Sequence, residues 1–181
     1  MNLKMVMPHL LAVSFMLTPL FSAAATKVPV DEACPNVSGF VIIGEAEKVI
    51  IKSKGLRLNA RIDTGAQTSS LGVVDQLPFE RDGKKWLQFS VQDPASGMLI
   101  DFKMPVVRIA EIKRHGTEAQ KRYVVKLKIL LGNIEMTREF TLADRSRYTF
   151  PMLIGRNVLS GKYIVDVNRK FSTNQIGEKE E

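Results

Sequence analysis

Histidine and cysteine are nearly absent from this 181-residue chain, which carries two histidines, His9 and His115, and one cysteine, Cys34. A single cysteine excludes an intramolecular disulfide framework and leaves Cys34 unpaired or paired with another chain. A zinc hydrolase needs about three protein ligands, and neither a His-x-x-x-His pair nor a second cysteine is present to begin such a set, so no metal site is expected. The same scarcity argues against Ser-His or Cys-His catalysis, because His115, the one candidate base outside the N-terminal segment, lies in a basic stretch. A glycine-rich phosphate loop is missing too, since Gly161-Lys162-Tyr163 lacks the preceding glycine and the following Ser or Thr. No cofactor is expected. Apart from a short turn of helix around Val158 to Lys162, no stretch holds a 3.6-residue apolar period, which excludes a helical architecture.

Long hydrophobic runs are also missing. The apolar stretch Leu10 to Phe21 falls short of the roughly 20 residues of a membrane span. With Lys4 before it and the small residues Ser22 to Thr26 after it, it reads as an export signal cleaved after Ala24 or Ala25; an uncleaved anchor is the alternative, disfavoured by Pro8 and Pro19. The expected organisation is a signal peptide at 1–25, a leader at 26–38, one domain at 39–170 and a flexible tail at 171–181. The mature protein is expected to be periplasmic or secreted, with no integral membrane segment. Loss of Lys4 lowers the formal charge of +7 by one, so the mature chain stays basic. Its basic residues are scattered rather than packed in one block, and an exported protein seldom meets nucleic acid, so no nucleic-acid partner is expected; weak attraction to acidic surfaces or peptides is.

What is present in quantity is β-pattern. Gly39 to Asp63 reads as two or three strands broken at Gly44 and at Lys52 to Gly55. The clearest runs from Leu56 to Ile62, with Leu56, Leu58, Ala60 and Ile62 on one face and Arg57, Asn59 and Arg61 on the other. Lys85 to Val91 and Met98 to Ile109 flank the turn-forming Gln92 to Gly97, a hairpin. Arg122 to Asn133 and Ile134 to Asp144 form a second, turning at Gly132-Asn133. The expected fold is mainly β, a closed or nearly closed barrel with one short C-terminal helix.

With metals and histidine set aside, carboxylates carry the catalytic possibilities. Two acids that share one proton can activate water, because like charges about 3 Å apart cannot both ionise. Asp63 closes the clearest strand and is followed by Thr64, Gly65 and Ala66: a hydroxyl that can lock the loop, and a glycine that lets backbone amides approach the carboxylate. Taken alone, Asp-Thr-Gly also fits an ordinary Asx-type turn. Of the other acids, Asp144 is expected to pair with Arg145 or Arg147 at a turn, and Asp166 to face solvent on a last strand.

Downstream, an apolar strand runs into Gly155-Arg156-Asn157 and then Val158-Leu159. Together with Asp63 to Ala66, this segment resembles the retropepsin-like aspartic proteases over roughly Gly39 to Val167. More narrowly, Arg61 to Leu71, Arg122 to Val125, Leu142 to Ser146 and Leu153 to Leu159 are similar to a bacterial family labelled "ATP-dependent zinc protease", although these residues supply neither zinc ligands nor a nucleotide loop. The resemblance implies a metal-free aspartic endopeptidase acting on a peptide or protein, with Asp63 catalytic, Thr64 gripping its counterpart across a two-fold axis, and Gly65 touching substrate backbone. It implies that Gly155, Arg156 and Asn157 support the active loop from behind, Arg156 as an ion-pair or hydrogen-bond donor. The chain has a single Asp-Thr-Gly, so the resemblance implies a homodimer. Two departures stand out: Gln67 follows Ala66 where compact viral members carry an acid, and Glu111 to Tyr123, with His115 and Gly116 at its tip, takes the place of a glycine-rich flap. This segment is either a basic flap or a solvated loop. A peptide- or protein-binding module on the same barrel, without turnover, is the alternative function.

Overall fold

A computed structural model of the chain describes residues 37–114 and 117–173. The expected signal, nearly all of the leader, Cys34, the flap-tip residues His115 and Gly116, and the tail from 174 lie outside the described residues.

The chain is mainly β, as its alternation requires. Strands β1 (Val41–Ile43), β2 (Ala46–Ile51), β3 (Leu56–Ile62) and β4 (Ser69–Gly72) are followed by β5 (Val74–Arg81), β6 (Lys84–Gln92) and β7 (Leu99–Pro105). Then come β8 (Arg108–Arg114), β9 (Thr117–Leu131), β10 (Ile134–Ala143), β11 (Met152–Ile154), helix α1 (Arg156–Leu159) and β12 (Tyr163–Val165). Six strands form a ring in the order β10-β4-β11-β3-β2-β9, closed by the antiparallel β9–β10 ladder, so the barrel has no free edge within it. The interior is filled by the inward phase of each strand: Leu56, Leu58, Ala60 and Ile62 of β3 are buried and Arg57, Asn59 and Arg61 are exposed, as the sequence alternation requires. The β9–β10 turn falls at Gly132-Asn133, with Gly132 at φ 58, the left-handed region that glycine enters freely.

Outside the ring lie the parallel pair β1–β12, a hairpin arm and a separate three-stranded sheet. Strand β9 is 15 residues long and pairs with β10 only from Val124 onward. Its first part pairs with β8 instead, forming a hairpin arm that continues past the ring. Strands β5, β6 and β7 form a separate antiparallel sheet whose inward residues Leu87, Phe89, Val91 and Phe102 join the core, with the Phe89 and Phe102 rings stacked at 5.3 Å. The chain expected to run as one strand from Met98 to Ile109 is broken after Pro105, which has no N–H to continue a ladder. At that break it changes partner: Val106 N–H donates to Lys85 of β6 and Val107 N–H to Val124 of β9.

The packed chain also runs past the boundary expected at 170. Phe171 N–H donates to the Ala46 carbonyl, and Ser172 and Thr173 bind the buried carboxylate of Glu47. Asp144 sits at a turn as expected, but its Oδ1 accepts the Ser146 N–H at 2.9 Å, and Arg147 acts on it electrostatically without a side-chain contact. Asp166 is half-buried and pairs with Arg169 at 3.0 Å.

Candidate active site

Asp63 is the first residue beyond β3, and its N–H donates to the Ile154 carbonyl of the neighbouring β11 at 2.9 Å. That bond fixes where the strand ends and the loop begins. The chain then folds back on the carboxylate, whose Oδ1 accepts the N–H groups of Gly65 at 2.9 Å and Ala66 at 3.1 Å. A Cβ on residue 65 would sit 3.2 Å from that same oxygen, so glycine keeps the approach open. Among the described residues none donates to Oδ2, so one oxygen of the carboxylate is spent on the loop and the other is available.

The second segment, far away in sequence, braces this loop by a dense set of bonds. Arg156 Nη1 donates to the carbonyls of Thr64 at 3.0 Å and Gly65 at 2.6 Å. The amides of Arg156 and Asn157 donate to the carbonyls of Ala66 and Gln67. Asn157 Oδ1 accepts from both the N–H and the hydroxyl of Ser69, while Ser69 Oγ accepts the Gly155 N–H. Asn157 Nδ2 reaches the Glu139 carbonyl, tying the assembly to β10. Gly155, Arg156 and Asn157 therefore meet Asp63 to Ala66 directly, and Arg156 acts as a hydrogen-bond donor to backbone, with no ion pair formed among the described residues. Thr64 is exposed and its hydroxyl has no partner within the described chain.

Gly155 has no space for a side chain: a Cβ there would lie 2.8 Å from the Ala66 carbonyl oxygen and 3.0 Å from the Thr68 carbonyl carbon, both backbone atoms. Gly155→Ala is expected to push the active loop off its brace, lowering stability by about 1–3 kcal/mol and turnover more than substrate affinity. Melting curves and kcat measured on the same preparation check this; a Gly155→Ala protein with unchanged kcat would show that the brace does not position the loop.

Beside the loop lies a cleft of about 640 Å³, bordered by Ala66, Gln67 and Thr68 on one side and by Ile109, Ala110 and Ile112 of the β8–β9 arm on another. The arm expected to be a flap thus borders the cleft, while its tip at His115 and Gly116 is outside the described residues. Three arginines, Arg108, Arg122 and Arg145, and one acid, Glu111, line the same space. Arg108 pairs with Glu139 at 2.9 Å, and Arg122 holds the Gln120 side chain. Arg145 is half-buried; burial lowers its pKa below the usual arginine value, opposed by the nearby Tyr148 and Asp63 and assisted by Arg122. Also lining the cleft is Ser70, whose buried hydroxyl has no partner among the described residues. An unpaired buried hydroxyl is costly unless a ligand or water completes it. Arg122 and Arg145 fall in stretches that carry the family resemblance, but nothing in the sequence brings them to one cleft.

Among the described residues no group of three His, Cys, Asp or Glu side chains is arranged to hold a metal ion. The arrangement can present a carboxylate oxygen beside a cationic, partly enclosed cleft.

Similarity to known proteins runs over most of the chain. A family model described as "Retropepsin-like aspartic endopeptidase RimB" matches residues 42–175. A "Probable alpha-L-glutamate ligase" of Shewanella pealeana is 33% identical over 142 residues, covering 77% of this chain and 31% of that relative, and one of Parasynechococcus marenigrum is 30% identical over 141 residues, covering 76% and 30%. The chain therefore spans less than a third of the length of these curated relatives. A crystal structure of a Legionella pneumophila protein of unknown function superposes with a TM-score of 0.65 at 31% identity, covering 74% of this chain and 98% of that one.

Proposed function

Because the chain belongs to the RimB-like family of retropepsin-like aspartic endopeptidases, we propose that it hydrolyses peptide bonds as a homodimer in which one Asp63 from each chain shares a proton across the two-fold axis. The ionised Asp63 takes a proton from water as the water attacks the peptide carbonyl, and the protonated Asp63 hydrogen-bonds the developing oxyanion. Proton delivery to the departing amine completes the cleavage. The observation that carries this reading is the one-sided carboxylate: Oδ1 is held by two amides while Oδ2 has no donor among the described residues, on a loop braced from behind by Arg156. Thr64, exposed on that loop, is the group we assign to the two-fold contact.

For substrate we favour peptides with acidic side chains. Arg108, Arg122 and Arg145 bring positive charge to the cleft beside the loop, and the Ser70 hydroxyl there lacks a partner that a substrate carboxylate or carbonyl would provide. The glutamate in the names of the curated relatives fits that chemistry. Their ligase activity is not carried to this chain, which matches under a third of their length. Their names carry no zinc-protease label of the kind the sequence resemblance suggested. The basic β8–β9 arm we read as the flap, and the apolar N-terminal stretch supports export to the periplasm or beyond.

Dilution tests the dimer and the chemistry together. Cleavage of a glutamate-rich peptide is expected to fall faster than linearly with protein concentration near the dimer dissociation constant, alongside the appearance of monomer in sedimentation. A monomer with full specific activity would overturn the shared-carboxylate site.

A further inference from the structure

Arg145 borders a second cavity as well as the arginine-lined cleft. This cavity, of about 290 Å³, lies between the β5–β6 strands and the loop after β10, and Val73, Val74, Val91, Pro94, Tyr148 and Pro151 give it mainly apolar walls. Its size is at the lower limit of ligand pockets, roughly 300–1,000 Å³, and suits a single side chain better than a whole small molecule. Two of its walls are open to solvent, Val74 at 42% and Tyr148 at 57% exposure, an unusual outlay of apolar surface for residues that line a concavity.

The partition between the two cavities is a held side chain. Arg145 Nε donates to the Phe150 carbonyl at 3.2 Å, and the guanidinium lies 4.6 Å from the centre of the Tyr148 ring. The two spaces therefore adjoin along Arg145 but differ in chemistry. The cleft brings three arginines and one acid, Glu111, together, whereas the second cavity has one arginine, Arg145, and one acid, Asp144, in otherwise mainly apolar walls. The Asp144 carboxylate accepts the Ser146 N–H at 2.9 Å and is held below its usual pKa by the N–H and hydroxyl of Ser146, with Arg147 assisting electrostatically.

We propose that this cavity is a second substrate subsite, taking an apolar side chain of the same peptide whose acidic side chain lies in the arginine-lined cleft. The assignment of a peptide as occupant rests on the peptidase reading above; the cavity's preference for an apolar group rests on its walls. Specificity of this kind distinguishes a mixed acidic and apolar sequence from a run of acids, because each additional acid would be desolvated against mainly apolar walls and would meet Asp144 beside the one arginine there, Arg145.

The test uses binding, so that it does not depend on turnover. A fluorescent glutamate peptide and a series in which leucine replaces one glutamate at each position in turn are titrated with the full-chain Asp63→Asn protein, read by anisotropy. One leucine position is expected to bind about tenfold tighter than the all-glutamate peptide, as burial of an aliphatic side chain allows. Val74→Trp, which fills the cavity, is expected to cancel that gain while leaving all-glutamate binding unchanged; Tyr148→Ala, which removes a wall without overpacking, is expected to reduce it. The absence of a favoured leucine position, or a gain that survives both substitutions, would overturn the subsite. If the gain is present and the wild-type protein leaves every peptide intact, the subsite stands and the peptidase reading falls. If wild-type protein cuts the whole series with equal kcat/KM and the Asp63→Asn protein binds it without preference, the reverse holds.

Discussion

Asp63→Asn is expected to lower peptide hydrolysis by on the order of a thousandfold or more while leaving the chain folded. The two expectations separate because the two oxygens of Asp63 have different surroundings. Oδ1 accepts the Gly65 and Ala66 amides, and an asparagine oxygen in the same place keeps both bonds. The substitution falls on Oδ2, to which no described residue donates. An amide nitrogen there can neither take a proton from water nor share one with a partner carboxylate, and no second base stands on the loop to replace it. Stability is expected to change by less than about 1 kcal/mol, because in the proposed dimer relief of repulsion between two facing carboxylates is offset by the lost attraction to Arg145, which lies within electrostatic reach. Peptide cleavage and thermal melting of the same protein decide the matter. Wild-type turnover by the variant would remove Asp63 from catalysis, and an unfolded variant would make it a turn-forming residue only.

Much of the barrel was legible because its strands obey a single rule. In β3 the inward phase is apolar without exception and the outward phase polar, so direction and burial follow from the sequence alone. Both hairpins read correctly from their turn residues for the same reason. Strands β4 and β5 went unread, β4 because it is four residues long and begins with two serines. Seven of the eight residues of β5 are exposed, its ladder with β6 is irregular between Val74 and Leu77, and no face of it is wholly apolar, so period-2 alternation gave no signal. Its signal lies in the turn: Asp82 and Gly83, at φ 53 and 66, form the paired left-handed turn that an Asp-Gly dipeptide specifies, hidden in a stretch that reads at first as plain charge.

At the site, the loop and its brace were legible and the cleft was not. Asp63 and Gly155 are far apart in sequence, but each sits at the end of an apolar strand with a glycine where backbone must approach backbone, and that pattern survives in one dimension. Arg108, Arg122 and Arg145 come from two strands and a turn, at spacings that follow no period; only closure of the ring and the switch of the chain from β6 to β9 after Pro105 bring them beside Ala66 and Thr68. Charge in a loop carries no sign of where it will point. The residues most easily read as solvated are therefore the ones that give the cleft its character.

Glu47 was missed for a different reason, although its signal was present: it shares the inward phase of β2 with the buried Val49 and Ile51. Its carboxylate is buried and accepts five hydrogen bonds, from the Gly44 N–H at 2.6 Å, the Ser172 N–H and hydroxyl at 3.1 and 2.6 Å, and the Thr173 N–H and hydroxyl at 3.1 and 2.7 Å. Burial alone would raise its pKa, but these donors outweigh burial and hold it below the ordinary glutamate value. A group with a depressed folded pKa stabilises the fold at pH above its unfolded value, and that contribution is lost as pH falls through the folded one. Glu47→Ala leaves all five donors without an acceptor and is expected to cost about 3–5 kcal/mol at pH 7, lowering Tm by roughly 10 °C for a domain of this size. Glu47→Gln keeps one acceptor oxygen but turns an NH₂ toward the two Thr173 donors, so it too is expected to melt below wild type. The comparison with pH is the sharper measurement. As the pH falls below the ordinary glutamate range and wild-type Glu47 takes up a proton, one of its oxygens becomes a donor among donors, as in the glutamine variant, and the Tm difference between the two proteins is expected to close. A glutamine variant that melts with wild type at pH 7, or a difference that stays constant down to acid, would show that the carboxylate does not hold residues 171–173 against β2.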